Sequence, residues 1–272
     1  MITLHLTEPP RFALDLSMLT PEGLQDLTLD QIKRLPLAQG RRRVKLGELF
    51  AVQGTADATL EITGVTPLCH RLGAQMTRGQ LIVRGDCGDE VGRDMRGGTL
   101  QIYGNARDRV GAGMRNGTIE INGAAGDFVG ASLTGATSGM KGGTIVVTKN
   151  VGARIGDRMR RGLIVVGGNA GADAASQLIA GTLVVLGTCG PGAANGMRRG
   201  TLLARDPTQV PASNFVLTGT FELPFLAVLA QHIVRLKPAY KAKLRAFTRV
   251  ERWVGDCGCG GLGELLIARA HR

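Results

Sequence analysis

The chain has 272 residues, with 33 Lys and Arg against 22 Asp and Glu, for a formal net charge of +11. A hydrophobic content of 43% excludes wholesale disorder, and no apolar run approaches the ~20 residues needed to span a bilayer. The basic excess points to an acidic partner, and its arginine bias favours bidentate recognition of carboxylate or phosphate.

The N-terminus, Met1-Ile2-Thr3-Leu4-His5-Leu6, lacks the basic-then-apolar pattern of a signal peptide, so a cytoplasmic protein is expected. Residues 2–6 alternate as a strand, and Phe12-Ala13-Leu14-Asp15-Leu16 is expected to pair with them or to begin a layer over the repeats. Thr20-Pro21-Glu22 and Thr28-Leu29-Asp30 carry helix-start signals. Residues 1–40 therefore read as an N-terminal cap, which shields the edge strands of a repeat array.

From residue 41 the array begins irregularly. Arg41-Arg42-Arg43 is either a solvated turn or an anion contact. Residues 58–64, Ala-Thr-Leu-Glu-Ile-Thr-Gly, already follow the grammar of the later repeats. That grammar is anchored at Gly79, Gly98, Gly117, Gly143, Gly162, Gly181 and Gly200, where five of the six intervals are 19 residues and the sixth is 26. The long interval contains the small, polar segment 131–139, an insertion that either touches a partner or is a plain bulge. Three residues before each anchor stands Met76, Met95, Met114, Met140, Met159, Leu178 or Met197, and after it comes a period-2 apolar run. A unit this short cannot bury its own apolar side, but stacked units can, so the fold class is an all-β solenoid over residues 41–206. Its axis should be filled by Leu100/Ile119/Ile145/Ile164/Leu183/Leu202 and Ile102/Ile121/Val147/Val166/Val185.

Two other solenoids fail on residues. Hexapeptide acyltransferase helices need coils of 18 residues and a catalytic His between coils, whereas this period is 19 and no His occurs between residues 71 and 231. Calcium-binding nonapeptide repeats need an Asp column that is absent here. Among aromatic residues the repeats contain only Tyr103 and Phe128, too few for single-strand nucleic-acid binding by ring stacking.

One column of the repeats is basic. The residue after each repeat methionine, or after Leu178, is Thr77, Arg96, Arg115, Lys141, Arg160, Ile179 or Arg198. Stacking sets such groups in a ladder at about 4.8 Å spacing. Like charges repel there, so the column is either a solvated edge or a track for an extended polyanion.

After Leu203 the grammar stops. Pro207 and Pro211 mark a connection, and residues 224–236 read as a helix started by Pro224 and ended at Lys237-Pro238. Phe225, Leu229, His232 and Leu236 share a face that is expected to pack over the open last coil, making His232 a core or interface residue. Residues 207–272 thus form a C-terminal helical cap and tail, with a last strand at 264–268. The five cysteines suit a reducing compartment. Cys87 and Cys189 hold equivalent positions five coils apart, too far for a disulfide. Cys257-Gly258-Cys259 lacks the second pair a zinc site uses, so no metal is assigned. No Ser/His/Asp set, phosphate-binding loop or HExxH occurs, and the GxG patterns lack a following helix. Taken alone, the residues describe a scaffold with no catalytic group of its own.

Leu14-Asp15-Leu16 with Leu19-Thr20-Pro21, the segment 45–54 (KLGELFAVQG), the Met-Arg-x-Gly repeats and the closing Val254-Gly255-Asp256 with 261–265 (GLGEL) together resemble the C subunit of formylmethanofuran dehydrogenases. The repeats by themselves also resemble the C-terminal β-helix of the glutamate synthase large subunit. The resemblance implies a right-handed β-helix in a multi-subunit complex acting on formyl-methanofuran, with the chemistry on other subunits. Two versions exist. One interconverts carbon dioxide and the formyl group with a molybdenum or tungsten pterin subunit. The other, in methylotrophic bacteria, moves a formyl group from tetrahydromethanopterin to a methanofuran-type carrier and hydrolyses it to formate. The arginine bias favours the bacterial version. The partners implied are metallohydrolase-like, formyltransferase and pterin-subunit-like chains. The carrier's tail of glutamates is a polyanion that the basic column could hold. No cofactor is assigned to this chain itself. The competing classes are a stand-alone polyanion-binding module and a glutamate-synthase-like partner in amide transfer.

Overall fold

The computed structural model describes residues 1–55, 57–207 and 213–268; Pro211, read as part of a connection, lies outside them. The N-terminal part contains β1 (Ile2–Leu6), β2 (Leu14–Asp15), α1 (Pro21–Leu24), α2 (Leu29–Lys33), β3 (Pro36–Gln39), β4 (Arg42–Lys45), α3 (Leu46–Leu49) and β5 (Phe50–Gly54). The repeats supply β6 (Thr59–Val65), β7 (Cys69–His70), β8 (Gln80–Gly85), β9 (Thr99–Tyr103) and β10 (Thr118–Ile121). They continue with β11 (Lys141–Val147), β12 (Arg161–Val166), β13 (Thr182–Cys189) and β14 (Arg199–Pro207). The C-terminal part holds β15 (Val216–Phe221), α4 (Pro224–Leu236), α5 (Lys241–Leu244), β16 (Val250–Gly255) and β17 (Leu262–Ala268).

The described residues are mostly β. A 13-stranded sheet runs β15-β16-β17-β14-β13-β12-β11-β10-β9-β8-β6-β1-β5, and a 4-stranded sheet runs β4-β3-β2-β7. From β1 to β14 and on to β17, neighbours in the large sheet pair parallel. The register sets Leu100 beside Ile119 and Ile102 beside Ile121, then Ile145 beside Ile164 and Leu183 beside Leu202. All of these side chains have 0% exposure, as do the column methionines and Leu178. A second parallel line of single bridges joins Cys87, Ala106, Ala125, Val151, Ala170 and Cys189, which places the two cysteines at opposite ends of one column.

Glycine allows the stacking where the chain turns out of a strand. A Cβ on Gly104 would lie 2.2 Å from the Gly85 carbonyl oxygen of the repeat before it. Side-chain amides and carboxylates complete the corners, each accepting from a backbone N–H of the next repeat. Asp108, for example, takes the Asp127 N–H at 2.9 Å, and Asn150 takes that of Asn169 at 2.9 Å.

At the ends two expectations change, and of the two placements expected for Leu14–Asp15 the pairing with β1 is not formed. Strand β1 lies inside the large sheet, antiparallel to β5 and parallel to β6, so part of segment 1–40 is itself a rung of the ladder. Leu14–Asp15 pairs with β3 and β7, not with β1. The helix α4 does not sit over the end of the array, because β17, β16 and β15 extend the sheet there. Its buried residues are Leu226 and Ile233, while Phe225 and His232 are exposed. Leu226 and Ile233 pack on the outer face of the last repeats in a cluster with Val146, Val165, Val184, Leu203 and Leu266. Of the expected face, Leu229 and Leu236 do pack against this cluster, while Phe225 and His232 give way to Leu226 and Ile233, because the helix lies along the sheet's outer face. The expected helix starts are present: Thr20 accepts from the Gly23 N–H at 3.2 Å, and Thr28 with Gln31 forms a reciprocal capping box.

Candidate functional site

Each basic residue of the column follows a fully buried methionine, so the backbone turns it outward. Arg96, Arg115, Lys141, Arg160 and Arg198 are all exposed. The column is continuous in the backbone. The Arg96 N–H donates to the Met76 carbonyl, Arg115 to Met95 and Arg160 to Met140, each at 2.8 Å, and Lys141 to Met114 at 2.6 Å. Arg198 donates to Leu178 at 2.8 Å. Among the described residues none of the five enters an ion pair, so five cationic heads line one corner without an internal counter-charge.

A second column does not stand out in the sequence. Arg71, Glu90, Arg109, Phe128, Arg154 and Asp173 occupy equivalent corners, all with φ between +57° and +63°. The Glu90 N–H donates to the Asp108 carbonyl at 2.8 Å and the Phe128 N–H to the Ala153 carbonyl at 2.9 Å, which locks one corner onto the next. The signal is there at the same spacing, 19 residues with one step of 26 across the insertion, but the side chains change character from repeat to repeat and form no uniform run.

At the N-terminal end of this column a pocket of about 460 Å³ lies between residues 13–15, Ala38 and Gly40 on one side and the first repeats on the other. Its charges are largely matched internally. Arg71 reaches Asp15 and Glu90, both at 2.8 Å, and Arg93 reaches Glu90 at 2.9 Å. Burial pushes the Asp15 and Glu90 carboxyls up. Hydrogen bonds from Ser17 and Arg71 to Asp15, and from Arg71 and Arg93 to Glu90, outweigh that and hold both below the usual carboxylate range. His70 Nδ1 accepts the Asp89 N–H at 3.0 Å, and the Asp89 carboxylate lies 3.4 Å from the same nitrogen.

Further along, both aromatic rings of the repeats are covered by arginines. Arg84 lies 4.8 Å from the Tyr103 ring centroid, and Arg109 and Arg154 lie 4.9 and 5.7 Å from that of Phe128. The closing motif of the chain is a clamp. Asp256, 3% exposed, accepts from the Gly196 N–H at 3.1 Å, the Asn214 amide at 3.3 Å and the Gly258 N–H at 2.9 Å. Cys257 and Cys259 are exposed thiols, whereas Cys69, Cys87 and Cys189 are buried ones, and none of the five is in a disulfide. Among the described residues no group of three metal-ligating side chains converges, and no helix is long and apolar enough to cross a membrane.

The GXGXG motif family matches residues 75–216, more than half of the chain and the whole run of regular repeats. The chain belongs to that family. The C subunit of the tungsten-containing formylmethanofuran dehydrogenase 2 of Methanococcus maripaludis is 29% identical over 94 residues, 34% of this chain and 34% of its own length. The C subunit of the formyltransferase/hydrolase complex of Methylorubrum extorquens is 39% identical over 91 residues, again 34% of each chain. These alignments span about a third of the curated relatives' length. A chain in the crystal structure of the Methylorubrum extorquens formyltransferase/hydrolase complex with methylofuran matches far more extensively. It is 38% identical with a TM-score of 0.90, covering 98% of this chain and 100% of that one. This GXGXG protein is therefore a homologue, over nearly its whole length, of a component of that complex.

Proposed function

We propose that the chain is the C subunit of a formyltransferase/hydrolase complex. Such a complex transfers a formyl group from formyl-tetrahydromethanopterin to a methanofuran-type carrier and hydrolyses it to formate. The observation that carries this reading is the full-length match at 38% identity to a chain of the Methylorubrum extorquens complex. In this reading the ladder from β1 to β17 is a right-handed β-helix, a rigid scaffold on which metallohydrolase-like, formyltransferase and pterin-subunit-like chains assemble. The parts are 1–40, 41–206 and 207–272, the flanking two each lending a rung to the ladder.

Arg96, Arg115, Lys141, Arg160 and Arg198 then hold the carboxylates of the carrier's glutamate tail or of an acidic sister subunit. Their exposure and their lack of ion-pair partners among the described residues support this role. A column of cations, interrupted by Ile179 between Arg160 and Arg198, also suits an extended chain of carboxylates.

Native purification of the tagged chain from its own cells tests the assembly. Co-purification with a formyltransferase and a metallohydrolase-like subunit is expected, and recovery of the chain alone overturns the reading. In the complex, Arg115→Glu with Arg160→Glu should weaken carrier binding at least tenfold at low ionic strength. Wild-type affinity should fall as salt is raised. Affinity indifferent to both removes the ladder from the carrier site. A second reading, the C subunit of a molybdenum or tungsten dehydrogenase, is favoured by the similarity to the Methanococcus maripaludis protein. Molybdenum or tungsten in the purified complex would select it.

A further inference from the structure

The insertion at residues 131–139 is the one place where the 19-residue period is broken, and it lies against the arginine-rich stretch of the corner column. The segment folds back on the repeats: the Ala136 N–H donates to the Leu133 carbonyl at 2.9 Å, and the Gly139 N–H to the Arg158 carbonyl at 2.8 Å. It thereby walls a pocket of about 340 Å³, whose other side is Arg109, Phe128, Arg154, Asp157 and Arg158.

The charge of this pocket is not balanced. Three guanidinium groups face one carboxylate, and that carboxylate, Asp157, has a side chain only 8% exposed and already accepts from Arg154 Nη2 at 3.3 Å. Arg158 Nε donates to the neutral Gln177 amide oxygen at 2.9 Å. Among the described residues Arg109 has no carboxylate partner, and Arg154 Nε is a buried donor with no acceptor. A buried, unmatched N–H carries a desolvation cost that an acceptor would remove.

Phe128 fixes the geometry. Its ring packs against the guanidinium of the repeat before it and of the repeat after it. A guanidinium presents a rim of N–H donors that recognises a planar or tetrahedral oxyanion, and here two of them sit beside one ring. The insertion adds Ser132, Thr134 and Thr137 to the lining, and among the described residues none of these hydroxyls is engaged with a protein group.

We propose that the pocket between the insertion and the Arg109-Phe128-Arg154 stack is a binding site for a single oxyanion group, a carboxylate or a phosphate. Arg109 and Arg158 are its main cationic contacts, and the insertion hydroxyls are its neutral donors. The site is distinct from the basic ladder and does not depend on what the ladder holds.

Calorimetric titration of the full-length chain with inorganic phosphate, and separately with glutarate, tests the proposal at low ionic strength. At least one probe should bind, and the tighter one identifies the class. Arg109→Gln and Arg158→Gln should each weaken binding about tenfold, and Thr134→Val by a smaller factor. Arg235→Gln, at an exposed position of α4, should leave it unchanged. Thermal melts matched to wild type show that each variant is folded. Thr134→Val, on an exposed loop, keeps the test open if an arginine variant fails to fold. Three results would each overturn the site: neither probe binding, Arg109→Gln binding as tightly as wild type, or loss of binding only in the Arg235→Gln variant.

Discussion

The outward faces of the early and late strands of the same sheet differ, although the repeat that builds them is the same. In β6, β8, β9 and β10 the central outward residues are Glu61, Ile82, Gln101 and Glu120, all partly exposed. In β11 to β14 and β17 the equivalent residues are Val146, Val165, Val184, Leu203 and Leu266, none more than 2% exposed. The register makes the switch explicit, since Glu120 pairs with Val146. Beyond that step the sheet is buried on both faces, and α4, Tyr240, Leu244 and Phe247 supply the second layer. A repeat thus fixes the inner face of every rung but leaves the outer face free to specify what packs there. Polar ties secure the boundary: Lys237 Nζ bonds Glu120 and, at 2.6 Å, Asn122, and the Tyr240 hydroxyl donates to the Val147 carbonyl at 3.1 Å.

If this contrast is right, the largest effect should come from a charge placed in the late face. Val165→Asp leaves an uncompensated buried carboxylate and should cost about 3–5 kcal/mol, seen in urea unfolding as a lower midpoint. A cost below about 1 kcal/mol would mean that the C-terminal layer is not tightly closed over β12. Leu203→Ala, a truncation in the same layer, should cost about 2–4 kcal/mol. Tyr240→Phe should cost about 1 kcal/mol for the lost hydrogen bond. Gln101→Ala on the early face should stay within about 0.5 kcal/mol, and a larger loss would show that an unseen layer covers that face too.

The inner face has its own signature in pH. Burial raises the Cys69 and Cys87 thiols above the ordinary 9.0 and pushes Cys189 up to about 12. The unfolded chain therefore loses these protons first as pH rises. Stability contributed by the neutral thiols is full below pH 9 and is lost progressively above it. Cys189→Ala should flatten that decline, and an unchanged slope would assign it to other groups. At the acid end, the lowered Asp15 and Glu90 contribute stability that is present above the usual carboxylate range and is lost as pH falls below it, through their lowered folded-state values.

The basic column was legible because it repeats one residue type at one offset from methionine. The corner column was not, because Arg71, Glu90, Arg109, Phe128 and Arg154 share a position but not a chemistry, and pattern reading rewards uniformity. The late outer face had a signal too. The uninterrupted runs Ile145-Val146-Val147 and Leu163-Ile164-Val165-Val166 mark strands buried on both sides, where the early strands alternate. Reading every run as alternating sent α4 to the open end of the array; Leu229 and Leu236 of its expected face do pack, but Phe225 and His232 do not.

By itself the sequence determined the stacking. A 19-residue period with glycine at its corners and one apolar stripe has a single economical way to bury that stripe, with each repeat against the next. Only the tertiary structure decided what the repeats meet at their ends and sides. Strand β1 joins the ladder beside β6, with Ile2 paired to Leu60, and Arg71 bridges Asp15 and Glu90 across 56 and 19 residues. The insertion likewise ties its Gly139 N–H to the Arg158 carbonyl and lines one pocket with Arg109. Such contacts depend on which distant segments share space, and a local pattern carries no record of that until the chain has folded.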